Sequence, residues 1–304
     1  MRVIHAPTFA LSETVEAAVS VEAEYGSLVA EGTQYTAAHH QKEGPYAGRH
    51  LVGPEGRPAP CNDPNIPVIG PDDQVVISHV DLDTIGGVLR AGGAHARLFG
   101  PEFQSFWDTA EWVDLNGVHR FDPDHDEAPR MFAVWAWLAN HREKWPKDRV
   151  ADVTDFMTHA GDAMHTILTG QSGRHTQAEL LDAGQVHIAA QDALSLSSWV
   201  ETRCTANAHA VVLRQAETFV NHLYRDPNGV ACTAVIGFNS AEGSLSVSLY
   251  ESIEGISCCD LVQDLWGPLA GGHQGIAGSP RGQRMTSKDL EDLARHLLEK
   301  LAQS

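Results

Sequence analysis

The segment from Val75 to Gly87 carries the densest chemistry in the chain. An apolar run ends in His79, Asp81 and Asp83 on alternate positions and then meets Gly86 and Gly87. In an extended segment side chains alternate between faces, so residues two apart project from one face. On that reading His79, Asp81 and Asp83 converge at the end of a strand, an imidazole beside two carboxylates. Such a mixed nitrogen and oxygen set suits Mn²⁺, Fe²⁺, Co²⁺ or Zn²⁺ better than Ca²⁺. The plainer alternative is a polar turn in which Asp83 only caps the helix that follows.

A second cluster lies near the other end of the chain. In Gly271-Gly272-His273-Gln274-Gly275-Ile276-Ala277-Gly278-Ser279-Pro280-Arg281, small residues permit close backbone approach, and His273 and Arg281 can both contact phosphate. A plain surface loop has the same composition.

The elements that must position these groups read as α/β. Arg2 to His5, Gln34 to Ala38 and Gln74 to His79 are apolar runs ending in or near histidine, which predicts buried strands whose C-terminal ends cluster. In open parallel sheets the ligand site lies at those ends. Gly44 to Pro71, rich in glycine and proline, is a long loop. Pro129 to Trp145, Asp152 to Leu168 and Ala178 to Arg203 read as helices, with Met131, Phe132, Val134, Trp135 and Leu138 on a core face. Apolar strands return at Val211 to Leu213, Val230 to Phe238 and Leu245 to Tyr250. The expected division is 1–205 for a parallel-sheet domain with its helical layer and 206–304 for a smaller α/β domain. A length of 304 residues agrees with two domains at ~150 residues each.

Composition narrows the partners. The net charge of -19, from 40 acidic against 21 basic residues, opposes the phosphate contacts on which long nucleic acids depend. A small anionic substrate remains compatible, because a bound metal reverses the field inside one cleft. No apolar run approaches the ~20 residues of a membrane span, and Met1 to Pro7 lacks the apolar core of a signal peptide, so the expectation is a cytoplasmic protein without membrane contact. Five cysteines, Cys61, Cys204, Cys232, Cys258 and Cys259, form no CxxC pair and read as reduced thiols. Cys61 is open to a reactive role, although buried inert thiol is the simpler account.

The His-x-Asp-x-Asp strand end at 79–83 and the Gly-Gly-His at 271–273, followed by Ala277-Gly278, together resemble the DHH phosphoesterase superfamily. The resemblance touches both ends of the chain. It implies an N-terminal domain that binds two metals, manganese above all, and a C-terminal domain whose Gly-Gly-His loop holds substrate in a cleft between domains. His79 and Asp81 would then ligate one metal and Asp83 the other, while Gly271, Gly272, His273 and Arg281 would contact substrate. No Asp-His-His follows the first motif; Ala38-His39-His40 precedes it, which implies a permuted order with His39 a metal ligand and His40 a phosphate contact. The family aspartate that bridges both metals falls near the end of the first strand, where this chain offers His5. An imidazole nitrogen binds one metal, so the site holds a single ion or draws its bridge from elsewhere. Asp114 resembles the family's last metal-binding aspartate. The Asp122 to Asp126 run has high ligand density, although acidic runs beside proline are more often solvated loops or helix caps; His119 and His125 are fallback ligands.

The implied chemistry is metal-assisted hydrolysis of a small phosphoester or short nucleotide, with Asp83 and His40 catalytic and closure of the second domain excluding water. Two other classes remain: a non-catalytic nucleotide-binding module, and a single-metal hydrolase of a C–N or amide bond. The helical layer leaves room for a homodimer interface.

Overall fold

A computed structural model of the chain describes residues 1–49, 53–141 and 144–304. The fold is mixed α/β and divides into two compact units: residues 1–24, 29–116 and 120–188 form the first, and 25–28, 117–119 and 189–304 the second. The division falls inside a helix, Gln177–Ser197, and not at 205.

The first unit is built on five strands: β1 (Arg2–His5), β2 (Val19–Val21), β3 (Tyr35–Ala37), β4 (Gln74–Ile77) and β5 (Ala151–Asp152), in the order β3-β2-β4-β1-β5. The first four run parallel, and β5 pairs antiparallel with β1. Val3, Val19, Val21, Val75, Val76 and Ile77 are almost wholly buried, the continuous apolar pattern of a parallel sheet covered on both faces. Because the strands run the same way, the residues that leave their carboxyl ends, His5, Glu22, the chain before His39, and Ser78-His79, all lie at one edge of the sheet.

The covering helices are α1 (Leu82–Gly92), α2 (Gln104–Asn116), α3 (Ala128–Asn140) and α4 (Thr154–Thr169). Helix α1 lies close against the sheet, because a β-carbon added at Gly87 would stand 2.6 Å from Val21 Cγ1 and one at Gly86 2.5 Å from Cys61 Cβ. Those two glycines let the helix carrying Asp83 approach both β2 and the loop at Cys61. Met131, Phe132 and Val134 of α3 are core, as their spacing predicts, whereas Trp135 and Leu138 are half-buried and Trp137 is buried instead. Helix α3 ends at Asn140; residues 142 and 143 of the expected helix lie outside the described residues, as do 50–52 of the expected loop. Within that loop Pro60–Asn62 forms a short 3₁₀ turn, held to α2 where Glu111 accepts from Ala59 N and Asn62 Nδ2.

The helix expected over 178–203 is two elements, α5 (Gln177–Ser197) and a strand, β6 (Trp199–Cys204). Leu194, Leu196, Trp199 and Val200 carry apolar side chains across the junction with no glycine or proline to mark it, which hides the change of period; Trp199, Val200 and Thr202 favour the strand.

The second unit carries a six-stranded sheet of β6, β7 (Ala210–Ala216), β8 (Ala234–Asn239), β9 (Ser244–Leu249), β10 (Gly271–Gly272) and β11 (Ile276–Gly278), in the order β10-β11-β9-β8-β7-β6. Helices α6 (Cys258–Trp266) and α7 (Ser287–Leu301) bury Leu261, Val262, Leu290, Leu293 and Leu297 with Val211, Leu213, Ile236 and Val247. Thr286 and Asp289 close a capping box at the start of α7. No helix among the described residues is long and apolar enough to cross a membrane.

Candidate metal centre

At the carboxyl edge of the first unit's sheet, Glu22 is the centre of a cluster of ligating side chains. It leaves β2 with φ of 50°, a left-handed conformation that costs a non-glycine residue about 1 kcal/mol or more. Two hydrogen bonds hold it there. Glu22 N donates to Ala37 O at 3.0 Å, and Ser78 Oγ donates to Glu22 O. The twist turns the carboxylate into the sheet edge, where only 1% of its surface is exposed.

The two oxygens of Glu22 face different partners. Oε1 lies 2.9 Å from His39 Nε2, whereas Oε2 lies 3.6 Å from His79 Nε2 and 3.5 Å from His40 Nε2. His39 Nε2 is also 3.3 Å from Asp83 Oδ2 and 3.7 Å from Asp114 Oδ2. His79 Nε2 is 2.9 Å from Asp81 Oδ2. Ligand atoms of Glu22, His39 and Asp83 stand within 4.8 Å of one another, and so do those of Glu22, His79 and Asp81. Glu22 belongs to both sets.

The structure does not gather His79, Asp81 and Asp83 at one point on a shared strand face: His79 and Asp81 meet Glu22 in one set, and Asp83 joins His39 and Glu22 in the other. Strand β4 stops at Ile77. Asp81 is the N-cap of α1, its Oδ1 accepting from Thr84 N at 2.8 Å, and Asp83 sits in the first helical turn. Asp81 therefore does the capping that the plainer reading gave to Asp83. Asp83 Oδ1 instead accepts from Cys61 N at 2.7 Å, which fixes the carboxylate with Oδ2 toward His39.

Supporting bonds set the orientation of the ligands. Ser78 Oγ gives its hydrogen to Glu22 O and lies 3.0 Å from His79 Nδ1, which orients the ring with its other nitrogen, Nε2, 2.9 Å from Asp81 Oδ2. Glu24 accepts from the backbone N–H groups of His39 and His40, at 3.0 and 3.1 Å, and from Gln41 Nε2 at 3.0 Å. This clamp fixes the His39-His40 turn after β3.

Electrostatics test whether the donor set suits a cation. Burial pushes Glu22 well above the usual carboxylate range, with His39 opposing and Asp83 and Asp81 adding to the rise. Burial likewise pushes Asp114 up to about 8, against the pull of His39. Burial works against charge on His39, yet the Glu22 charge and hydrogen bonds to Asp83 and Glu22 raise it well above an ordinary imidazole. Carboxylates outnumber the groups that can neutralise them, so the metal-free cluster retains protons where a cation would otherwise sit. Imidazole nitrogens and carboxylate oxygens in this proportion fit a divalent transition metal.

Not every expected ligand joins the cluster. His5 ends β1, but its Nε2 lies 3.1 Å from Ser78 O and its ring packs 5.0 Å from Trp145, so the first strand contributes no ligand to the groups formed among the described residues. The nearest candidate for the carboxylate sought there lies two strands over, at Glu22 after β2. The sequence reading passed over Glu22 because β2 is only Val19–Val21 and is set among acidic residues. Its signal was an acid at the end of a short apolar run, in the same position as His5, His39 and His79.

Asp122 and His125 form local turns, with Asp124 N donating to Asp122 Oδ1 at 2.9 Å and Glu127 N to His125 Nδ1 at 3.1 Å. His119 belongs to the second unit, between the rings of Tyr224 and Tyr250. Cys61 is buried, and burial with the adjacent Asp83 charge pushes its thiol well above an ordinary cysteine, which excludes a thiolate nucleophile. Gly271, Gly272, His273 and Arg281 all lie in the second unit. Gly271 and Gly272 pair with Gly278 and Ala277, and a β-carbon on Gly272 would meet Ile276 O at 2.6 Å. The glycines thus serve the hairpin that presents His273.

No family model and no curated protein matches the sequence. Among solved structures, an exopolyphosphatase-related protein from Bacteroides fragilis is similar over 88% of this chain and 71% of its own, with 10% identity and a TM-score of 0.31. An uncharacterized protein from Helicobacter pylori G27 is similar over 74% of this chain and 68% of its own, with 12% identity and a TM-score of 0.24. At such TM-scores neither likeness bears on fold or activity. The chain is an α/β protein whose first unit gathers histidine, aspartate and glutamate side chains that could bind a metal.

Proposed function

We propose that the protein is a metal-dependent phosphoesterase of the DHH type acting on a small phosphoester or short nucleotide, with manganese as its metal. The observation that carries this reading is Glu22, whose two oxygens face two separate sets of ligands. His39, Asp83 and Asp114 would hold one ion and His79 and Asp81 a second, with Glu22 shared. Divalent metal supplies the Lewis acidity and positive charge that draw a phosphoryl group and water together.

The chain's own groups do the rest. Glu24 fixes the backbone of His40, and the imidazole at the rim of the cluster donates a hydrogen bond to a phosphoryl oxygen near neutral pH. Asp83, held at Oδ1 by Cys61 N, has Oδ2 aimed at His39. His273 and Arg281 of the second unit are proposed as the substrate contacts, because imidazole and guanidinium both match phosphate oxygens. A net charge of -19 favours short substrates over long strands.

A non-catalytic module would lack a carboxylate shared between two ligand sets, and the position of Glu22 favours the catalytic reading. The deciding experiment loads the protein with Mn²⁺, counts bound metal by elemental analysis, and assays small phosphodiesters with the parent and Asp83→Asn. Close to two ions per chain and turnover that falls at least ~100-fold in Asp83→Asn support the proposal. Equal turnover in parent and variant, or no bound metal, rejects it. One ion per chain with turnover on an amide and none on a phosphoester would favour the C–N hydrolase.

A further inference from the structure

The second unit's sheet ends in an uncovered edge. Among the described residues, strand β6 pairs with β7 on one side only, and Trp199, Val200 and Cys204 are exposed, Trp199 by 42% and Val200 by 44%. Leu196, one turn before the strand, is 62% exposed. Edge strands are ordinarily blunted by proline, lysine or a covering segment, and β6, Trp-Val-Glu-Thr-Arg-Cys, has no proline or lysine.

The ladder to β7 fixes which backbone groups face outward. Gln215 N donates to Ser198 O, and Thr205 N donates to His209 O at the far end. A bulge between Trp199 and Glu201 shifts the register by one. Glu201 and Arg203 therefore take the hydrogen-bonding positions toward β7, and the N–H and C=O groups of Thr202 and Cys204 point away from the sheet.

We propose that β6 pairs antiparallel with β6 of a second copy of this chain, about a twofold axis through Thr202. That register puts the outward groups of Thr202 opposite those of the partner's Thr202, and Val200 opposite the partner's Cys204. It also sets Glu201 beside the partner's Arg203 and Arg203 beside the partner's Glu201. An isologous interface must be complementary to itself, and a Glu-x-Arg pair centred on Thr202 meets that condition. Arg203 already pairs with Glu201 and with Glu291, the latter at 2.8 Å, so a second copy extends an ion-pair cluster and gives each Glu201 a second Arg203. Two chains of charge -19 repel over most of their surface, which favours contact at a segment with balanced charge and exposed apolar side chains. Leu196, Trp199 and Val200 supply the apolar part.

Val200→Cys tests the register directly. Directly opposed residues in a hydrogen-bonded antiparallel pair have Cα atoms about 5.5 Å apart, a separation that a disulfide spans. Mild oxidation of Val200→Cys should give a covalent dimer through the native Cys204, and the Val200→Cys/Cys204→Ser protein should give none. Thr202→Pro removes an outward N–H at the axis without touching the ladder to β7 and should turn the dimer into monomer in sedimentation, with an unchanged circular dichroism spectrum. Glu201→Arg, which sets Arg against Arg, should do the same, and adding Arg203→Glu should restore the dimer. A monomeric parent protein, or a dimer indifferent to Thr202→Pro and Glu201→Arg, overturns the proposal.

Discussion

Glu22 Oε1 lies 2.9 Å from His39 Nε2 while its other oxygen faces His79, so one buried carboxylate from β2 touches ligands that follow β3 and β4. The Glu22 carboxylate is the joint of the cluster. Replacing it with Gln keeps the volume and removes the charge. In the metal-free protein a group held neutral by burial loses little on becoming an amide, so melting temperature should hold or rise. Elemental analysis of the same Glu22→Gln protein should show bound Mn²⁺ reduced by at least one ion per chain. Unchanged metal content would remove Glu22 from the site.

Acidity of the metal-free cluster sets a pH dependence. Glu22 and Asp114 have pKa values raised above their ordinary 4.5 and 3.8, the latter to about 8. Below about pH 4 folded and unfolded chains both keep these protons. As pH rises the unfolded chain releases them first, so the stability of the folded form declines across the window up to about pH 8. His39, also raised, acts in the same sense: its charge stabilises the fold below the ordinary histidine value and that contribution is lost as pH passes its folded value. Urea melts of the metal-free protein should show midpoints falling between about pH 5 and 8, with a shallower fall in Glu22→Gln. Because the ligands must be deprotonated, stabilisation by added Mn²⁺ should grow over the same range.

Thiol chemistry separates Cys61 from Cys204. Cys61 is wholly buried and its thiol is pushed well up by burial and by Asp83, whereas Cys204 is exposed. Iodoacetamide on the native protein should label Cys204 and leave Cys61 intact by peptide mass analysis. Rapid labelling of Cys61 without unfolding would contradict the packing of the Pro60–Asn62 turn against α1.

Gly87→Ala tests the approach of α1 to the sheet. The added methyl would meet Val21 Cγ1 at 2.6 Å and Pro60 Cβ at 2.9 Å. Forcing an extra carbon into such a contact costs typically about 1–3 kcal/mol. Denaturant melts should show that loss, accompanied by weaker Mn²⁺ binding, because the shift carries Asp83 away from His39. Full stability together with full metal binding would show that α1 has room the structure does not display.

What the sequence determined by itself was chemistry attached to local pattern. His79, Asp81, Asp83, His39 and Asp114 stand out as candidate donors because each follows an apolar run or carries a ligating group, and three parallel strands were legible from their apolar runs. Tertiary structure decided everything that depends on which strands are neighbours. Residues 22, 39 and 79 follow separate strands, and only the order β3-β2-β4 puts β2 between the other two, giving Glu22 to both sides and leaving His5 against Trp145. The three-residue β2 owes its place to its neighbours rather than to propensity, because a run so short gains its free energy from the parallel pairings to β3 and β4. The same holds for β6: with no glycine or proline between it and α5 the stretch reads as one helix, and it is the bond between Thr205 and His209 with the ladder to β7 that makes it a strand.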